Sequence, residues 1–245
     1  MFARHLLPVL ADGLQLSPAV ALLGSASLDR LPQSGETPAG RIACLELGPL
    51  TRLEIGAAQR DALWLRGGFP ESLTAPNDAR SLRWRKNFIR AYLERDIPQF
   101  GPRIATDTLR RFWTMLAHHQ SGLLNVAQLA RNIGADAKTA QSYIDLLCAL
   151  LLVRRLPPWH ANVGKRLVKS PKVYRRDSGL VHALLDIDSK ETHRSHLVLG
   201  ASWEGFDIEN LLQSAPAGVQ AYFYRSGGGA EVDWLLVWPA NGPGI

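Results

Sequence analysis

Hydrophobic positions along this chain recur in blocks, some with the two-residue period of strands and more with the 3.6-residue period of helices. Ala19 to Leu23 is a short apolar run ending at Gly24-Ser25-Ala26-Ser27, the pattern of a buried strand entering a polar loop. Arg41 to Leu47 (RIACLEL) predicts a second strand after a loop rich in Gly, Pro and Ser. Gly67-Gly68-Phe69-Pro70 is the clearest break in the chain. After it, Asn77 is placed to cap a helix striped by Leu82, Phe88, Ile89, Tyr92 and Leu93. The other face of that helix carries Arg80, Arg83, Arg85, Lys86 and Arg90, and Pro98, Gly101 and Pro102 are expected to end it.

Three more helices are predicted at short intervals. Thr106 is expected to cap the first, with Leu109, Phe112, Trp113 and Leu116 at helical spacing. Asn125 caps the second (Leu129, Ala130, Ile133), Gly134 makes the turn, and Asp136 caps the third (Ala140, Tyr143, Ile144, Leu147, Leu151). A helix, a turn containing Gly and a second helix form the helix-turn-helix pattern. Lys138, Thr139, Gln141, Ser142 and Asp145 point outward from the third helix, where they could meet base edges or phosphates. Two strands, Leu152 to Leu156 and Lys172 to Tyr174, follow, joined by a loop with Lys165, Arg166 and Lys169, which completes a winged helix. A three-helix protein-interaction module with solvated charges fits the same pattern. Towards the C-terminus, Asp177-Ser178 caps a helix through Leu185 and another runs from about Leu199 to Gln213. Ala221 to Arg225 and Glu231 to Trp238 read as a hairpin across Ser226-Gly227-Gly228-Gly229.

Composition changes this picture at one place. The 245 residues are 46% apolar and 20% charged, a balance expected of globular domains. The formal charge is +6, yet Lys138 to Arg176 alone holds nine Lys/Arg against one acid, Asp145. That is 9 − 1 = +8, leaving 6 − 8 = −2 for the remainder. So concentrated a positive field suits a surface facing phosphates, and the candidate nucleic-acid contacts are Lys138, Gln141, Arg154, Arg155, Lys165, Arg166, Lys169, Lys172, Arg175 and Arg176. DNA is therefore an expected partner. Cys44 and Cys148 are far apart among apolar neighbours, as reduced thiols would be. Pro8, Asp12 and Gln15 interrupt any secretory apolar segment, and Leu146 to Val153 is too short to span a bilayer. A cytoplasmic protein without membrane contact is the expectation.

Chemistry-bearing patterns are sparse. No GxxxxGK[ST] loop occurs: Gly164-Lys165 is followed by Arg166 and has Trp159 where the leading glycine belongs, so autonomous ATP hydrolysis is not expected. Glu231 and Asp233 alternate along the last strand and so share a face, while Glu204 lies on the preceding helix. Glu204 and Asp233 are the candidate catalytic and Mg²⁺-binding pair for phosphodiester cleavage; a solvated strand face beside a surface helix is the simpler reading of the same residues. His193 and His196 near Glu191 have metal-ligand spacing but no third or fourth ligand of the zinc type nearby.

Several segments together resemble a prokaryotic family of AAA-type ATP-binding proteins. They are ALLGSASLDRLPQSGETPAGRIACLELGPL, GGFPESL, RAYLERDIPQF, the stretch from TAQSYIDLL to SGLVHALL, LGASWEGFDIENLL and YFYRSGGGAEVDWLLV. That family carries a C-terminal domain of unknown function (4143) akin to PD-(D/E)XK nucleases. The resemblance implies ATP and Mg²⁺ as cofactors of the full-length family, none being expected for this chain alone. It implies nucleotide contacts at Ser25 and Arg41, and nuclease-core acids at Glu204 and Asp233. The fold class it implies is mixed α/β: a remnant of a parallel AAA sheet (1–66), a linker and basic helix (67–105), a winged helix-turn-helix (106–177) and a truncated PD-(D/E)XK-like unit (178–245). The missing phosphate loop and final nuclease strand make the chain look shortened at both ends, so a protein partner or second copy is expected to cover apolar edges.

Overall fold

The structure is a computed structural model and describes residues 19–23, 42–100, 105–159, 168–216 and 218–239. It is a mixed α/β molecule in which helices dominate and strands come in pairs. β1 (Ala19–Leu23) and β2 (Ile42–Glu46) run parallel, with Ala19 opposite Ile42. Helices that the apolar pattern did not announce follow: α1 (Arg52–Ile55), a 3₁₀ turn at Ala57–Gln59, α2 (Arg60–Arg66) and α3 (Pro70–Leu73). Each is short, and a stripe needs two or more turns before its period is legible. Gly67-Gly68 is a packed junction between them. Gly67 ends α2 at a φ of 79°, and Gly68 N–H donates to the Asp177 carboxylate over 2.7 Å. A Cβ on Gly67 would lie 2.2 Å from that carboxylate, so only glycine fits.

α4 (Asp78–Ala91) is capped by Asn77, whose side-chain oxygen accepts from Arg80 N–H. Its predicted stripe packs inward, but so does Arg85, which belongs to the expected solvent face. The Arg85 guanidinium donates to the carbonyls of Leu65 and Gly179, joining three helices through their backbones. Pro98 does not end this run. A wide π-turn at Tyr92–Asp96 leads into α5 (Ile97–Phe100), where proline sits in the first turn and needs no N–H partner. α6 (Thr106–His118) begins at Ala105, with no side-chain cap, and Thr106 is its first helical residue. α7 (Val126–Ile133) and α8 (Ala137–Ala149) are capped as expected by Asn125 and Asp136, with Gly134 left-handed between them.

β3 (Val153–Leu156) and β4 (Lys172–Arg175) pair antiparallel, and a bridge from Leu123 to Lys172 adds a third short crossing. Asp177 caps α9 (Ser178–Leu184); α10 (Lys190–Ser195) and α11 (Leu199–Ser214) lead to the hairpin of β5 (Gln220–Arg225) and β6 (Glu231–Val237). The largest core gathers Ile89, Leu93, Phe112, Trp113, Ile144 and Val181 from α4, the π-turn after it, α6, α8 and α9. Its depth comes from α6, whose Leu109, Phe112, Trp113 and Leu116 are all buried. Among the described residues no helix is long and apolar enough to cross a membrane.

Candidate functional site

Lys172 is the hub of the most unusual side-chain arrangement. Its position on β4 points it under the hairpin, and its side chain is only 4% exposed. Its ammonium reaches Glu204 of α11 at 3.0 Å, and on β6 Glu231 at 2.8 Å and Asp233 at 3.0 Å. The period of two puts both β6 acids on one face, as the sequence indicated. Tyr174, two residues along β4, donates its hydroxyl to Glu204. Burial opposes the Lys172 charge, but hydrogen bonds to Glu231, Glu204 and Asp233 outweigh it and hold the ammonium above the usual lysine range. Burial, then Glu204, pushes the Tyr174 phenol far up, so it remains a donor.

The candidate acids Glu204 and Asp233 are thus brought together, along with Glu231. The element not foreseen is the cation between them: Lys172 was assigned to the phosphate-facing surface. Its signal in the sequence was a lone lysine opening the strand Lys-Val-Tyr, which also fits a solvated position. The cluster carries three carboxylates against one ammonium and opens to solvent at Asp233, 57% exposed. Among the described residues, no group of three or more His, Cys, Asp and Glu has metal-holding geometry. His193, paired with His196 in the sequence, is instead buried beside Trp64 and His182, with ring centroids at 4.4 and 4.1 Å.

Part of the basic stretch is folded inward. Arg154 and Arg176 both pair with Glu209, which α11 buries. Arg155 pairs with Asp145 at 2.8 Å. Arg175 is 1% exposed, and burial lowers its pKa to about 9. A phosphate-facing role for Lys172, Arg175 and Arg176 therefore gives way to an internal one: Lys172 and Arg175 lie on a strand buried along its length, and Arg176 is buried against Glu209. Lys138 and Lys169 are exposed, and Gln141 is half-buried, donating to Asp145 at 2.9 Å. Lys165, Arg166, Ser25 and Arg41 lie outside the described residues.

Comparison with known proteins corrects the family. The model that matches is that of "Domain of unknown function (DUF8612)", over residues 58–191. An uncharacterized protein of Mycobacterium bovis and one of Mycobacterium tuberculosis are each 44% identical over 227 residues, which is 93% of this chain. The chain spans about half the length, 51%, of these curated relatives. No solved structure matches. The resemblance to AAA-type ATP-binding proteins with a PD-(D/E)XK-like domain is thereby replaced. Its segments lack a phosphate loop, and without such a motif helix and strand patterns recur in unrelated chains. The matched span runs from α2 to the start of α10 and so contains the helices α4 to α9 and the basic stretch; on this match the chain belongs to the DUF8612 family of domains of unknown function.

Proposed function

We propose that the chain is a winged-helix module that contacts nucleic acid through α8. The observation that carries this reading is the order of elements: α6, the bridge at Leu123, α7, α8, then β3 and β4 as an antiparallel pair. That is three helices with three short strand crossings, the second and third helices joined by a turn at Gly134. The face of α8 turned from the core carries Lys138, Thr139, Gln141 and Ser142. The acid on that face, Asp145, is neutralised by Arg155 and so repels phosphate less. Lys169 flanks the same β3–β4 connection. With so many of the stretch's cations occupied internally, binding is expected to be modest and its salt dependence shallow.

A labelled duplex titrated by anisotropy at several salt concentrations tests this. The plot of log affinity against log salt should have a slope of about −2 to −4, each phosphate contact adding roughly one. Lys138→Ala should weaken binding across sequences and flatten the slope by about 1. No binding at low salt removes the reading. A second reading, protein contact, is favoured by Val232, Trp234 and Trp238, large apolar side chains that stand exposed on and after β6. Concentration-dependent sedimentation of the chain alone, abolished by Trp234→Ser, would support it with a second copy as partner.

A further inference from the structure

A second group of cations, outside the basic stretch, lies on α4 and α6. Lys86 and Arg90 are four residues apart on α4, and Arg110 and Thr114 are four apart on α6, so each pair shares one helix face. These four line a single groove with Asn87 and Asp186, floored by residues of α9, with a volume of about 430 Å³. That is within the range of about 300–1,000 Å³ typical of small-ligand sites. Arg90 and Arg110 have no carboxylate partner among the described residues, whereas Lys86 pairs with Asp186 at 2.5 Å. The charge in the groove is 3 − 1 = +2, from Lys86, Arg90 and Arg110 against Asp186. Lys86 and Asp186 are both well exposed, so their pairing is weak and Lys86 can turn to another anion.

We propose that this groove between α4, α6 and α9 binds a phosphate group. Two guanidinium forks lining one groove present planar sets of donors that match phosphate oxygens, and a bound anion offsets the groove's positive charge. The Asn87 amide and the Thr114 hydroxyl supply neutral donors at the rim. Such a ligand can be the backbone of a nucleic acid or a free phosphate, and the chemistry of recognition is the same. The site is separate from the α8 face and does not depend on it.

The test is a titration of the isotopically labelled full chain with inorganic phosphate, ionic strength being held constant with chloride. Side-chain Nε–H resonances of Arg90 and Arg110 are followed. A saturable shift with phosphate and not with chloride, lost in the double variant Arg90→Gln/Arg110→Gln and kept in Lys138→Gln, is the expected result. Equal shifts with chloride, or an unchanged isotherm in the double variant, overturn the proposal. If the double variant fails to fold by thermal melting, the wild-type comparison of phosphate with chloride decides alone. A labelled duplex then distinguishes the source. A salt slope lowered by about 2 in the double variant identifies a nucleic-acid backbone. Unchanged duplex affinity beside a lost phosphate isotherm identifies free phosphate. Loss of duplex binding in Lys138→Gln with the phosphate isotherm intact concerns α8 and leaves the groove standing.

Discussion

Arg175 and Lys172 sit three residues apart on β4, both buried, with opposite local solutions. Lys172 has three carboxylates; all three guanidinium nitrogens of Arg175 lie buried without a hydrogen-bond partner among the described residues. A buried charge without full hydrogen bonding is unfavourable, and replacing buried ionic groups by apolar ones of similar size is commonly neutral or stabilising. Arg175→Met, which keeps the aliphatic stem, should therefore hold or raise stability by about 1 kcal/mol in urea denaturation. A loss of that size would reveal a partner for the guanidinium. Lys172→Met should do the reverse and lower stability by about 3 kcal/mol at neutral pH, the low end for a broken buried pair because Asp233 stays solvated. An unchanged urea midpoint in this variant would contradict the pairing of Lys172 with the three carboxylates.

The helix–turn–helix elements are set by local rules. Asn125 accepts from Gln128 N–H at 3.0 Å, and Gly134 takes the left-handed conformation that ends α7. Asn125→Ala should cost about 1 kcal/mol, read from the midpoint of thermal or urea unfolding. An unchanged midpoint would mean that packing of Leu129 and Ile133, not the cap, holds the start of α7. These caps were legible because the side chain that satisfies the backbone is a neighbour in sequence. Thr106 illustrates the limit: its residue type suits a cap, but the cap position falls one residue earlier, at Ala105, and Thr106 is already helical. The short helices α1 to α3 were invisible for a different reason, having too few turns to display a period.

Across the molecule, α2, α9, α10 and α11 are tied together by a buried imidazole pair. His182 shares hydrogen bonds with the Leu65 carbonyl at 2.9 Å and the Ser202 hydroxyl at 2.7 Å, and its ring lies 4.1 Å from that of His193. Burial first, then the neighbouring imidazole charges, depress both; His193 falls to about 4 and His182 well below the ordinary range. A depressed folded-state pKa contributes stability that is present above the unfolded value near 6.5 and is lost as pH falls through the folded value. Stability should therefore decline from about pH 6.5 towards about pH 4. His193→Phe, which keeps an aromatic ring beside Trp64, should remove part of that decline, and identical pH profiles for variant and parent would refute the assignment. Residues close in the chain decided the caps, the turn at Gly134, the amphipathic stripes and the alternation that aligns Glu231 with Asp233, because each depends on a fixed local period. Which cations face water depended on acids far along the chain: Glu209 takes Arg154 and Arg176, and Glu204, Glu231 and Asp233 take Lys172. Charge counted along a sequence is blind to such long-range pairing, so only the tertiary structure separated the paired cations of the basic stretch from the exposed Lys138 and Lys169 and gathered Arg90 and Arg110 in one groove.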